Sequence, residues 1–144
     1  MRKILFLASW YPSRVDPFNG DFIERHANCI SLSNPVYVIY VVKDPFLKNG
    51  KWEIDKKVAP NLITYTGYYS PHKSGYLEKF YSNLQYRKLH KKIFKLMRDE
   101  YGIPGVVHLN VMMKAGIFAL WLKKKYKLPY LLTEHWTGFS TERK

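Results

Sequence analysis

Three short polar clusters carry the residue types that could do chemistry, and each follows an apolar run. The first is Trp10-Tyr11-Pro12-Ser13, continuing through Pro17-Phe18-Asn19-Gly20-Asp21 into a helical pattern. Asn-Gly tolerates positive φ, so the backbone can turn sharply there and present N–H groups at a helix N-terminus. That arrangement suits a phosphate or a sugar hydroxyl; it also suits an ordinary strand-to-helix turn. The second cluster is His108-Leu109-Asn110, and the third is Thr133-Glu134-His135-Trp136. Asn110, Glu134 and His135 offer an amide, a carboxylate and an imidazole, the groups that hydrogen-bond hydroxyls and move protons. A histidine in such a place can equally be structural.

Other chemistries lack their signatures. No G-x-x-x-x-G-K-[ST] run and no G-x-G-x-x-G after the first strand occur, nor does H-E-x-x-H. The histidines at 26, 72, 90, 108 and 135 have no ligand-set spacing, and Cys29 is the only cysteine. No metal site is expected. Cys29 falls in a helical stretch, which predicts a buried, inert thiol in a reducing compartment.

A separate feature is basic. Lys88, Lys91, Lys92 and Lys95 form one stripe at helical spacing, with Arg87 and Arg98 beside it. Leu89, Ile93 and Leu96 form the opposing apolar stripe. A solvated outer face explains this pattern. So does docking to an anionic bilayer through Arg87, Lys88, Lys91, Lys92 and Lys95, with the tyrosines between Tyr65 and Tyr86 at the interface. The net charge of +13 asks for an anionic partner without naming it.

The elements that must position these groups alternate. Ile4 to Ser9 reads as a buried strand, continuously apolar as parallel strands are. Gly20 to Leu32 forms a helix with Phe22, Ile23, Ala27 and Ile30 on one face. Val36 to Val42 is the second strand, and residues 43–57 read as irregular. Leu62 to Thr66 is the third strand, followed by a tyrosine-rich loop to Gly75. A long helix runs from Tyr76 to Tyr101 and closes at Gly102. Val106 to Leu109 is strand four, Ala115 to Tyr126 a helix, and Leu128 to Thr133 strand five.

Strand-helix alternation predicts an α/β fold: a doubly wound, Rossmann-like parallel sheet with right-handed crossovers. In such a sheet, ligands bind outside the carboxyl ends of the strands where strand order reverses. Neighbouring first and fourth strands would bring Asn19, Gly20, Asp21, Asn110, Glu134 and His135 together. The 144 residues fit one domain with a self-sufficient core. The apolar start is too short for a signal peptide, and no stretch reads as a membrane span. Twelve tyrosines suggest a wet, amphipathic surface.

The runs Trp10-Tyr11-Pro12-Ser13, Pro17 to Ile23, Val106 to Asn110 and Tyr130 to Trp136 together resemble bacterial glycosyltransferases of family 4. The resemblance covers essentially the whole chain. It implies the amino-terminal, acceptor-side half of a GT-B fold, spanning residues 1–144, with a donor-binding domain beyond it. It implies transfer of a sugar from a nucleotide-sugar donor, with retention of configuration and without a metal. The acceptor would be a glycan or a lipid-linked molecule of the cell envelope. It implies that His135 hydrogen-bonds the transferred sugar, and that Gly20 and its neighbours approach the donor phosphates. Asn110 stands where many relatives carry a second histidine, and the paired-glycine form of the first loop is absent. A cytoplasmic protein, peripheral at the inner membrane face, is the matching expectation. A GT-B sugar epimerase half is the rival of the same architecture. A non-catalytic basic module binding anionic lipid or nucleic acid is the rival of another class. Nucleic acid is disfavoured because the basic residues sit on two separate helices with no recognition signature.

Overall fold

The computed structural model describes residues 1–71 and 75–135. Its elements are β1 (Ile4–Ala8), α1 (Asp21–Ser31), β2 (Val36–Lys43), β3 (Trp52–Ala59), β4 (Leu62–Tyr69), α2 (Glu78–Tyr101), β5 (Val106–Asn110), α3 (Ala115–Tyr126) and β6 (Tyr130–Thr133). His72, Trp136 and the terminal Glu142-Arg143-Lys144 lie outside the described residues.

The sheet has six strands in the order β3-β4-β2-β1-β5-β6. All neighbours are parallel except β3 and β4. Alternation along the buried strands sends successive side chains to opposite faces. Leu5, Leu7, Ile39, Val107 and Leu109 pack under α2 and α3. Phe6, Ala8, Val38 and Tyr40 pack under α1 with Ile23 and Ala27. Helices therefore cover both faces, and the domain is a doubly wound, Rossmann-like α/β fold. The order reverses between β1 and β5, which pair from Ile4↔Val106 to Ala8↔Asn110.

Several expectations need correction. Residues 43–57 are not wholly irregular: Trp52–Ala59 is an antiparallel edge strand, turning through Pro60-Asn61 into β4. Nearly every β3 residue is exposed and half are charged, so the strand lacks an apolar signature. β4 continues to Tyr69, which puts Tyr68 and Tyr69 in the sheet rather than in a loop. Tyr65, Tyr68, Tyr69 and Tyr86 are buried, so they cannot serve a membrane interface. These rings fill the core instead of wetting a surface. Cys29 is exposed, because the buried side of α1 is Ile23, Ala27 and Ser31, with Ile30 at its edge and Phe22 turned outward.

On α2 the buried face is Tyr86, Leu89, His90, Ile93, Phe94 and Met97, and Leu96 is exposed. The helix lies flush on the sheet at Gly67, where an added Cβ would sit 2.8 Å from the Leu89 and Ile93 side chains. No helix among the described residues is long and apolar enough to cross a membrane.

Candidate functional site

The carboxyl ends of β1 and β5 frame the point where strand order reverses. The loop after β5 is strained. Val111 has φ 65°, unusual for a β-branched residue, and Lys114 has φ 62° and ψ −58°. Ala115 N donates to the Met113 carbonyl at 2.8 Å, so Lys114 is the centre of a classic γ-turn, a rare and strained conformation. Such geometry persists only where its surroundings over-determine it. Here they do. Ser9 Oγ donates to the Val111 carbonyl at 2.7 Å and also contacts the Met113 carbonyl. Val111 N donates to Thr133 O at 2.9 Å, and Met112 N donates to Glu134 Oε1 at 2.8 Å.

The β1–α1 loop forms the opposite wall. Its inner turn is held by Ser13 and Asp16, the latter accepting from Phe18 N at 3.1 Å. Arg14 ties it outward: its guanidinium meets buried Asp44 at 2.8 Å and Glu53 at 2.7 Å, and lies 3.9 Å over the Tyr68 ring. Gly20 ends the loop with φ 71°. A Cβ there would lie 2.6 Å from the Trp10 carbonyl carbon and oxygen. Glycine is thus demanded by the chain's own backbone, not by a phosphate's approach.

Between these walls lies a crevice of about 260 Å³, lined by Ser9, Trp10, Asn19, Tyr40, Lys43 and Lys114 among others. Asn19 Nδ2 donates to Tyr40 Oη at 3.4 Å. Burial pushes the Tyr40 hydroxyl above its ordinary pKa, so it remains a neutral donor and acceptor. Lys43 spans to Glu78 at 3.0 Å. Among the described residues Lys114 has no ion-pair partner.

The two helix ends at the site differ in charge. α1 carries Asp21 and Glu24 in its first turn, and Asp21 pairs with Arg25. Those carboxylates already complement the positive end of α1 and repel a phosphate. α3 has no acidic residue in its first turn, no side-chain cap, and Lys114 at its N-cap. The first two backbone N–H groups of α3 are engaged within its own loop, Ala115 N with Met113 O at 2.8 Å and Gly116 N with Met112 O at 2.9 Å, so the positive group at this end is the Lys114 side chain.

The remaining expected residues are only partly gathered. His135 is exposed and stands edge-on to Phe22 with ring centroids 4.7 Å apart, beside the first turn of α1. Glu134 sits close by, but its carboxylate holds the β5–α3 loop through Met112 N. Asn110 is fully buried: like His108 it faces α1 rather than the crevice. Among the described residues its Nδ2 reaches only His108 O at 3.4 Å, and its Oδ1 has no hydrogen-bond partner. His108 bonds Thr133 Oγ1 through Nε2 at 2.8 Å. Its ring also meets Phe6 at 4.5 Å and His26 at 5.3 Å. Burial, then His26 and His135, push its pKa down to about 4. Among the described residues no group of three His, Cys, Asp or Glu side chains is arranged to hold a metal ion.

The basic stripe lies opposite the buried face of α2 but is not simply solvated. Lys92 Nζ sits 3.8 Å over the Trp52 ring, Lys91 lies 5.0 Å from that of Trp121, and Lys95 pairs with Asp99 at 2.8 Å. Arg87 and Lys88 are exposed beside them.

Sequence reasoning missed Ser9, Tyr40, Lys43 and Lys114. Ser9 and Lys114 each stand just past an apolar run, the one usable signal. No protein-family model matches the chain, and no curated protein matches it.

Proposed function

We propose that this domain is the acceptor-side half of a family-4-like retaining glycosyltransferase of GT-B architecture, paired with a donor-binding domain. The observation that carries the reading is the crevice at the reversal of strand order, with Lys114, free of ion pairs among the described residues, on one side, and His135 exposed after β6 beside the first turn of α1. Departure of a nucleoside diphosphate develops negative charge, which the Lys114 ammonium stabilises without a metal. The His135 imidazole hydrogen-bonds a hydroxyl of the sugar in transfer. The acceptor, a glycan or lipid-linked molecule, lies along the β1–α1 wall, where Asn19, Tyr40 and Trp10 offer polar groups and a ring face. Closure by the second domain excludes water from the reacting sugar. Phe18, Met112 and Met113 are exposed around the mouth, an apolar rim suited to that closure.

A second element of the reading is cytoplasmic placement at a membrane face. Tyr76, Leu77 and Phe80 are exposed at the start of α2, next to Lys79, Arg87 and Lys88. That combination of apolar and basic groups supports docking to an anionic bilayer.

The test is transfer of labelled sugar from a panel of nucleotide sugars to cell-envelope acceptors, using this domain joined to the donor-binding domain. Incorporation that Lys114→Ala and His135→Ala each lower supports the reading. Incorporation indifferent to both substitutions moves the chemistry elsewhere.

A further inference from the structure

Asn-Gly occurs twice in the chain, at Asn19-Gly20 and at Asn49-Gly50, and the fold treats the two pairs in opposite ways. The dipeptide is chemically unstable. The amide nitrogen that follows an asparagine attacks the side-chain carbonyl carbon, and glycine alone leaves that approach unhindered by a Cβ. Reaction then turns on whether the nitrogen is free to swing toward the carboxamide.

Asn19-Gly20 is held in place. Asn19 Nδ2 donates to Tyr40 Oη at 3.4 Å. The Gly20 carbonyl accepts from Ile23 N at 2.9 Å and from Glu24 N at 3.2 Å, the first bonds of α1. A Cβ on Gly20 would lie 2.6 Å from the Trp10 carbonyl, so this peptide is packed against backbone and has no room to turn.

Asn49-Gly50 is free on every one of these counts. Both residues are exposed, as are Lys48 and Lys51 on either side. Their turn is closed by Lys51 N donating to Lys48 O at 2.9 Å, and Gly50 N donates to no backbone carbonyl among the described residues. A Cβ built on Gly50 would meet nothing within 4 Å. Opening one solvent-exposed bond is a local event, well below global unfolding in free energy, and it releases the Gly50 nitrogen. The neighbouring lysine ammonium groups favour the deprotonated amide that attacks.

We propose that Asn49 is a site of spontaneous deamidation, giving aspartyl and isoaspartyl residues, and that the fold protects Asn19. Gly50 N gives its proton to solvent base, and its electron pair forms the bond to Asn49 Cγ. The Cγ–Nδ2 bond breaks, and the nitrogen takes a proton from water and leaves as ammonia. The five-membered succinimide that remains is opened by water at either carbonyl. Cleavage at Cγ restores the main chain as aspartate; cleavage at the backbone carbonyl yields isoaspartate. Each product places a carboxylate between Lys48 and Lys51. The isoaspartyl form also lengthens the main chain by one methylene in the turn leading into β3, where Lys51 O accepts from Ser70 N at 3.0 Å. This chemistry is independent of sugar transfer.

The experiment ages the full chain in mildly alkaline buffer, folded and in urea, and follows each asparagine by peptide mass spectrometry. Isoaspartate is read by enzymatic methylation of its carboxylate. In the folded chain Asn49 should convert about tenfold faster than Asn19 or more, because Asn19 must first break its bond to Tyr40 and free the start of α1. In urea the two should convert at comparable rates, which assigns the difference to the fold. Gly50→Ala should slow conversion at Asn49 by about tenfold, through a Cβ beside the attacking nitrogen. Asn49→Ser should remove the isoaspartate signal of the folded chain. Equal rates at Asn49 and Asn19 in the folded chain, an Asn49 that stays intact when folded yet converts in urea, or a rate unchanged by Gly50→Ala overturns the proposal.

Discussion

Ser9 donates its hydroxyl proton to the Val111 carbonyl at 2.7 Å, tying the residue after β1 to the residue after β5. The bond crosses the reversal of strand order and restrains the strained turn that presents Lys114 to the crevice. Ser9→Ala should cost about 1 kcal/mol of stability, the worth of one such bond, and should raise KM for a phosphate-bearing donor more than it alters kcat. Urea unfolding and steady-state kinetics on the same samples check both.

Lys114 supplies the complementary experiment. Its φ of 62° and ψ of −58° are accessible to glycine without strain. Lys114→Gly should therefore raise stability by about 1 kcal/mol while weakening anion binding by about tenfold. A variant that loses stability would show that the turn is unstrained in solution.

His135→Ala should lower kcat by about 10²–10³ in a transfer-competent protein. The melting temperature should hardly change, because the side chain is exposed and its ring contact among the described residues is edge-on to Phe22. A histidine of purely structural value gives the reverse pattern, with lower stability and ordinary turnover in the folded fraction.

Acid should destabilise the domain before its carboxylates titrate. Folding depresses the pKa of His90 from 6.5 to about 4. The unfolded chain takes up its proton first as the pH falls, so the stabilisation is complete above about 6.5 and is lost progressively down to about 4. The loss is about 3 kcal/mol for this residue. His108 acts in the same direction. Urea midpoints at pH 7.5 and 4.5 measure the effect, and the difference should shrink in His90→Leu.

Gly20→Ala places a methyl group 2.6 Å from the Trp10 carbonyl, in a residue with φ 71°. It should cost on the order of 2–3 kcal/mol. Gly50→Ala has a similar φ of 76° with nothing within 4 Å, and so should cost only about 1 kcal/mol. Comparing the two by thermal unfolding separates steric collision from backbone preference.

Much of the fold was legible because its signals are local. The apolar runs at Ile4, Val36 and Val106 became parallel strands, and the helix over Ala115–Tyr126 has the expected ends. β3 was illegible because an exposed, charged edge strand is stabilised by pairing with β4, not by a buried face. The site was legible only in part. Placement of His135 beside α1 followed from topology. The inward turn of Asn110 and the engagement of Glu134 with Met112 N depend on the strand's facing and on a loop conformation no motif records. Lys114 gained its role from a γ-turn at an ordinary lysine.

The two margins of the sheet have opposite characters. Along β3, Glu53, Asp55, Lys56 and Lys57 interleave charge with the unpaired backbone, and a second chain approaching there must desolvate them. Along β6, Tyr130, Leu131 and Leu132 are exposed and uncharged, and among the described residues no strand pairs beyond them. Desolvation therefore costs less at β6 than at β3, and the sheet is guarded by charge on one margin only.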